Sequence, residues 1–214
     1  MVGQGVLREC LESENVVSIV AVGRGPCGVE HEKLEEILHD DFTEYGSIES
    51  RLQNLDACFF CLGVSAAGMS EESYRHITFD FTVRAAETLS RLNPEMVFCY
   101  VSGAGTDSSA RGRSMWARVK GMTENRLVEI PFKAVYLFRP GYIQPMKGVR
   151  SKTSLYRLIY SVLAPFYPVW KTLFPGFVTT TEKVGLAMIR VSEQGFSRQI
   201  LETRDINALA PGSD

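Results

Sequence analysis

Three sets of residues in this chain have types and spacings that could do chemistry. Gly23-Arg24-Gly25-Pro26-Cys27-Gly28 fits G-x-G-x-x-G and follows a β-branched run, the pattern of a turn whose backbone N–H groups hold a pyrophosphate at the start of a helix. Cys58-Phe59-Phe60-Cys61 fits C-x-x-C, the spacing of a redox or zinc pair. Trp116 and Lys120 stand at i and i+4 of a helical pattern, which puts an indole N–H and an ammonium on one helical face.

The first two sets weaken on inspection. After Gly28 comes Val29-Glu30-His31-Glu32-Lys33-Leu34-Glu35-Glu36. It is too short and polar for a buried helix, and its acidic first turn would repel an anion. A better phosphate-binding helix is 3–11, with a small, Gly-bearing first turn and apolar Val6, Leu7, Cys10 and Leu11 at helical spacing. On a strand, Cys58 and Cys61 point to opposite faces, and no second Cys/His pair stands at zinc spacing. The histidines His31, His39 and His76 show no metal-site spacing either. No metal or redox site is expected, and five cysteines, an odd number, read as free thiols in a reducing cytoplasm.

The elements that must position Trp116 and Lys120 follow from hydropathy. Of the 214 residues, 45% are hydrophobic and 22% charged, and the net charge is −2. That composition suits a soluble globular protein and argues against nucleic-acid binding. No apolar run is long enough to span a bilayer. Strand patterns cover 16–22, 57–62, 96–101 and 134–138, and helix patterns cover 48–54, 71–92, 114–129, 153–166 and 181–191. The segment 34–38 reads as a short helix or turn running into an edge strand at 37–40. Strands separated by helices predict an α/β fold, a Rossmann-like doubly wound parallel sheet with right-handed crossovers. Ligands of such sheets sit at the carboxyl ends of the strands. The residues there are Gly23 to Gly28, Asp40 to Phe42, Gly63 to Ser65, Ser102 to Gly105 and Arg139 to Gln144. Arg24, the first charge after the strand at 16–22, stands where a basic side chain accommodates a 2′-phosphate, so NADP is expected over NAD.

In chain order, these residues carry a resemblance. Gly3-Gln4-Gly5 opens a helix, then come Val22-Gly23-Arg24, Asp41-Phe42, Cys61-Leu62-Gly63, Val101-Ser102-Gly103-Ala104, Lys120 and Phe138-Arg139-Pro140-Gly141. The series resembles the atypical short-chain dehydrogenase/reductase superfamily, within it the NAD(P)H-binding proteins related to Tat-interacting protein and nucleoside-diphosphate-sugar epimerase-like proteins. The resemblance implies that Gly3 is the last glycine of G-x-x-G-x-x-G, and that Asp41 and Phe42 border the adenine. It implies that Leu62 and Gly63 line the pyrophosphate and ribose, and that Ser102 is the catalytic serine. Lys120 would hold the nicotinamide ribose, and Arg139-Pro140-Gly141-Tyr142 would form the turn beside the nicotinamide. Trp116 stands in the position of the usual catalytic tyrosine, and an indole cannot cycle a proton at neutral pH. The replacement acid would be Tyr142, then Tyr100 or His76, or water; otherwise there is no redox turnover.

The resemblance also implies a strand and most of a Gly-rich turn ahead of Gly3, missing from this chain. That strand would lie between those at 16–22 and 57–62, so this chain is expected to be N-terminally truncated and marginally stable. Residues 1–140 would form the dinucleotide-binding core, and 141–214 a small substrate lobe with C-terminal helices. Between 131 and 181 there are basic and aromatic residues but no Asp or Glu. The stretch 147–174 could therefore accept an anionic small-molecule substrate or rest on a membrane surface. The functions expected are an NADP-dependent oxidoreductase or epimerase-like enzyme, or a non-catalytic NADP(H)-binding regulator of a protein partner. Substrate and oligomeric state are not readable.

Overall fold

The computed structural model describes residues 1–146 and 176–210. The helix expected over 153–166 and the basic, aromatic stretch 147–174 lie outside these described residues. The elements alternate as expected. The order is α1 (Val2–Glu12), β1 (Ile19–Gly23), β2 (Leu34–Leu38), β3 (Ala57–Phe60), α2 (Glu71–Arg75), α3 (Phe81–Leu92), β4 (Val97–Val101), α4 (Met115–Leu127) and β5 (Ala134–Arg139). They continue with β6 (Tyr142–Gln144), β7 (Val178–Thr180), α5 (Thr181–Gln194), β8 (Ile200–Glu202) and α6 (Thr203–Leu209). The main sheet has the order β3-β4-β5-β8, while β1-β2 and β6-β7 form separate pairs. Every pairing is parallel, so the fold is the Rossmann-like α/β architecture expected.

The alternation of side chains along each strand divides two cores across the sheet. Phe98 and Tyr100 of β4 enter a core with Ile37, Phe42, Leu52, Phe60, Ala86 and Leu127. Val97 and Cys99 enter another with Val6, Cys10, Phe138, Val184, Met188 and Leu201. Cys58 packs against the first core and Cys61 against the second, so the C-x-x-C pair is split across the sheet as its strand spacing requires. β1 divides likewise, with Val20 and Val22 against the first core and Ile19 against the second. It therefore lies between the same two apolar layers as β3, although no ladder joins them among the described residues.

Several elements differ from the sequence expectation, among them the helix expected over 48–54, of which only a 3-10 turn at Glu49–Arg51 forms. Residues 34–38 are entirely strand, in register with β1 from Ile19↔Leu34 to Gly23↔Leu38. Parallel pairing with β1 and burial of Ile37 override the helical tendency of the Glu35-Glu36 pair. The helix at 71–92 is interrupted by a π-helical turn over His76–Asp80. β6, β7 and β8 have three residues each, too few for a periodicity to register. The segment after Gly28 forms no helix before β2, in accord with rejecting 23–28 as a phosphate-binding turn.

Glycines let α1 press against its neighbours. A Cβ on Gly3 would meet the Cβ of Cys61 at 3.3 Å, and one on Gly5 would meet the Cβ of Thr181 at 2.5 Å. On the facing helix α5, a Cβ on Gly185 would lie 2.8 Å from Glu9 Cγ. The Gly5→Val variant forces this helix pair apart. It should lose about 1–3 kcal/mol, the usual penalty of overpacking, read as a lower midpoint in urea; an unchanged midpoint would refute the close packing.

Candidate active site at the carboxyl ends of the central strands

Lys120 and Ser102 come together at the end of β4. Lys120 reaches from α4 to donate from Nζ to the carbonyl of Val101 at 3.2 Å, the residue before Ser102. Its ammonium also sits 5.2 Å from the centre of the Tyr100 ring, a cation–π distance. Burial pushes the Lys120 amine down to about 8, against the opposing pull of the Glu124 carboxylate. A lysine in this state is largely charged at neutral pH and shielded from water.

Ser102 is held from both sides. Its backbone N–H bonds the carbonyl of Phe138 at 2.8 Å, and its hydroxyl lies 3.0 Å from that of Thr106. Thr106 donates its own proton to the carbonyl of Gly103 at 2.8 Å, so the pair settles with Ser102 donating to Thr106 and keeping its lone pairs for a visitor. Ser102 and Thr106 are both buried. Thr106 is a site residue the sequence reading missed; only a folded turn brings it back onto Ser102.

The loop after β4 rests directly on α4. A Cβ on Gly121 would fall 1.8 Å from the carbonyl oxygen of Asp107, so only glycine fits beside Lys120. Asp107 organises the loop by accepting from the backbone N–H groups of Ser109 at 3.0 Å and Arg111 at 3.0 Å, and of Gly112 at 2.6 Å. The Ser109 hydroxyl, donating to Oδ1 at 2.6 Å, and then these backbone bonds hold its carboxyl below the ordinary range. Trp116 is half-buried, with its ring 3.5 Å from where a Cβ on Gly105 would stand. It forms a wall against the loop.

The remaining expected residues divide by their surroundings. Arg24 is exposed and has no side-chain partner among the described residues. Gly63 and Gly103 have open space where a Cβ would stand, leaving the ends of β3 and β4 accessible to a ligand backbone-close. Leu62 is half-buried beside them. Asp41 is exposed and accepts from the N–H of Thr43 at 2.9 Å, a bond that lowers its carboxyl. Phe42, by contrast, is a core residue at 5% exposure, packed on Phe81; its ring is committed to the protein interior.

The Arg139-Pro140-Gly141 corner already has protein partners. The Arg139 guanidinium is buried and donates from Nε to Glu124 at 3.0 Å and from Nη2 to Ser108 at 2.6 Å. Pro140 accepts from Ala104 N–H at 2.9 Å, and Gly141 N–H donates to Thr203 Oγ1 at 2.9 Å. Of the suggested replacement acids, Tyr100 is only 1% exposed and its phenol is pushed well above the ordinary value by burial, so it cannot serve. Tyr142 donates to Gln144 Oε1 at 2.8 Å, and His76 is exposed and bonded to Asp80 at 3.0 Å. A cavity of about 520 Å³ lies at the opposite ends of β1 and β2, lined by Ile19, Leu34, Arg51 and Leu55, and contains none of these residues.

No known family model matches the chain. The rat protein HTATIP2 is 24% identical over 143 residues, 66% of this chain and 58% of that protein, so the chain spans less than two thirds of its relative's length. Among solved structures, the Bordetella bronchiseptica enzyme WbmF in complex with NAD+ superposes with a TM-score of 0.64 at 14% identity, covering 94% of this chain and 69% of that one. The ADP-L-glycero-D-manno-heptose-6-epimerase of Helicobacter pylori gives 0.64 at 12% identity, over 97% of this chain and 77% of that one. These likenesses establish the fold.

Gly121→Ala should displace the 103–113 loop and destabilise the protein by about 1–3 kcal/mol. In a crystal structure of the variant, Thr106 should move out of hydrogen-bond reach of Ser102. An unshifted loop would show that the close approach is not what shapes the site.

Proposed function

We propose that this chain, whose resemblance to the atypical short-chain dehydrogenase/reductase superfamily is borne out in sequence and fold, binds a nicotinamide adenine dinucleotide across the carboxyl ends of β1, β3 and β4. The observation that carries the reading is Lys120, a lysine drawn into the end of β4 beside Ser102 and bonded only by a strand carbonyl and a ring face among the interactions described. The residues present fit such a group: the ends of β3 and β4 expose glycine backbone, and Arg24 is exposed with no side-chain partner among the described residues. WbmF, similar in fold, is a structure with NAD+ bound. Arg24 favours NADP, because a guanidinium pairs with a 2′-phosphate and an acidic residue would be needed for a free 2′-hydroxyl.

A nicotinamide ring, when bound, supplies or accepts hydride. The chain's own residues would do the rest. Lys120 would hold the ribose hydroxyls, Ser102 would orient a substrate hydroxyl through its lone pairs, and Trp116 would wall the pocket and donate a hydrogen bond. The function so inferred is oxidoreductase or epimerase-like on a small molecule, and an anionic one is favoured by the basic residues and the lack of Asp and Glu between 131 and 181. A second reading is favoured by Trp116 itself. With an indole in the tyrosine position, and Tyr100 buried, the protein would bind NADP(H) as a regulator of a protein partner, without turnover.

Fluorescence titration with NADPH and NADH tests the binding. NADPH should bind tighter, and Arg24→Glu should weaken NADPH by about tenfold or more, a loss of about 1.4 kcal/mol, while leaving NADH nearly unchanged. Absence of binding by the chain would refute the proposal. Binding should also weaken as pH rises through about 8, where Lys120 loses its proton, and Lys120→Met should abolish that dependence; a profile that survives the substitution would exclude Lys120 as its source. Turnover of a carbonyl substrate that is lost in Ser102→Ala would select the enzyme over the regulator.

A further inference from the structure

Beneath the site lies a charged cluster that the functional reading does not use. Glu124 stands one turn beyond Lys120 on α4 and is 2% exposed; Arg139, at the end of β5, is 8% exposed. Arg139 donates through both Nε and Nη2 to the two carboxylate oxygens of Glu124. The same Nη2 donates to the Ser108 hydroxyl at 2.6 Å, and Asn125 of α4 donates to the Ser108 carbonyl at 3.1 Å. The cluster thus joins three pieces: the helix that carries Lys120, the strand end next to β4, and the loop that carries Thr106.

We propose that Glu124 is a positioning residue that holds Lys120 as an ammonium at the end of β4 and, through Arg139 and Ser108, fixes the loop that orients Ser102. The proposal rests on the reading that Lys120 serves a bound dinucleotide. Burying two charges is costly, and an apolar pair of the same volume is often equally stable. Stability alone therefore does not account for the cluster, whereas its position one turn from Lys120 and its bond to Ser108 of the loop that carries Thr106 do. The groups facing Lys120 are few. Glu124 lies on its own helix, and β4 contributes the Tyr100 ring and the Val101 carbonyl. Behind these, Tyr74 of α2 influences the Tyr100 phenol, and Glu202 of β8 approaches Arg139 at 4.0 Å. Glu124, one turn on along the same face of α4, is the anion whose field favours the ammonium form of Lys120 against desolvation.

The test follows the Lys120 side-chain nitrogen by NMR in the full chain, labelled with 15N-lysine, through a pH titration. Wild type should titrate at about 8. Glu124→Gln should lose the proton at about tenfold lower affinity, and Glu124→Asp, which restores the charge, should recover most of the wild-type midpoint. A Glu124→Gln protein that melts lower but leaves the Lys120 midpoint in place would overturn the proposal. Should Glu124→Gln fail to fold, Ser108→Ala, on the exposed loop, decides. It should leave the Lys120 midpoint unchanged and weaken NADPH binding several-fold, and wild-type affinity in that variant would overturn the proposal. Failure of the wild-type protein to bind NADPH would refute the proposed function, while the Lys120 titration would still decide whether Glu124 sets its charge.

Discussion

A carboxylate cannot be left unpaired in a protein interior, and Glu124 is almost wholly enclosed. Breaking such a pair by removing one partner typically costs about 3–5 kcal/mol, a large share of a domain's stability of about 5–15 kcal/mol. Everything around Glu124 is arranged to meet that demand. β5 must end where Arg139 can present its fork, α4 must lie against it, and the loop after β4 must close over both so that Ser108 takes the second N–H of Nη2. The approach of that loop then requires a glycine at 121. A single buried charge thereby couples the helix, the strand and the turn that together frame Ser102, Thr106 and Lys120.

The sheet supplies the other half of the positioning. β4 is covered on both faces and paired on both edges, by β3 and by β5. Its carboxyl end is therefore held from both sides, and the hydrogen bond from Ser102 N–H to the Phe138 carbonyl continues the ladder into the site. β1 and β2 are less bound. β1 shares both apolar layers with β3, and β2 enters the first through Ile37, but among the described residues no ladder joins either to the main sheet. Arg24 sits at the end of β1, so the part that would discriminate a 2′-phosphate is carried by the more loosely connected pair of strands.

Much of this was legible in the sequence because burial writes a simple signal. The runs around 57–62 and 96–101 are apolar on every residue, which only a strand covered on both faces explains. The Trp116–Lys120 spacing likewise reported a helical face. Glu35 and Glu36 misled because their strand conformation comes from pairing with β1, a partner distant in sequence and invisible in local propensity. Phe42 and Tyr100 misled in the opposite sense. Both follow or end strands where ligands bind, yet their rings turn into the core. The Glu124–Arg139 pair was hidden because its members lie in different elements, although Glu124's i+4 relation to Lys120 was open to view. Thr106 returns to Ser102 only through the turn that Gly105, at φ +85°, permits.

The central claim is that the carboxyl ends of β1, β3 and β4, with Lys120, form one dinucleotide surface. Its most direct measurement is the map of backbone amide shifts in 15N-labelled protein on addition of NADPH. The account predicts perturbations at Arg24, Gly63, Ser102 to Thr106 and Lys120, with the amino ends of the same strands, around Ser18, Asp56 and Glu95, unchanged. Perturbations confined to the amino ends, or none at Lys120 and Ser102 under saturating NADPH, would contradict it.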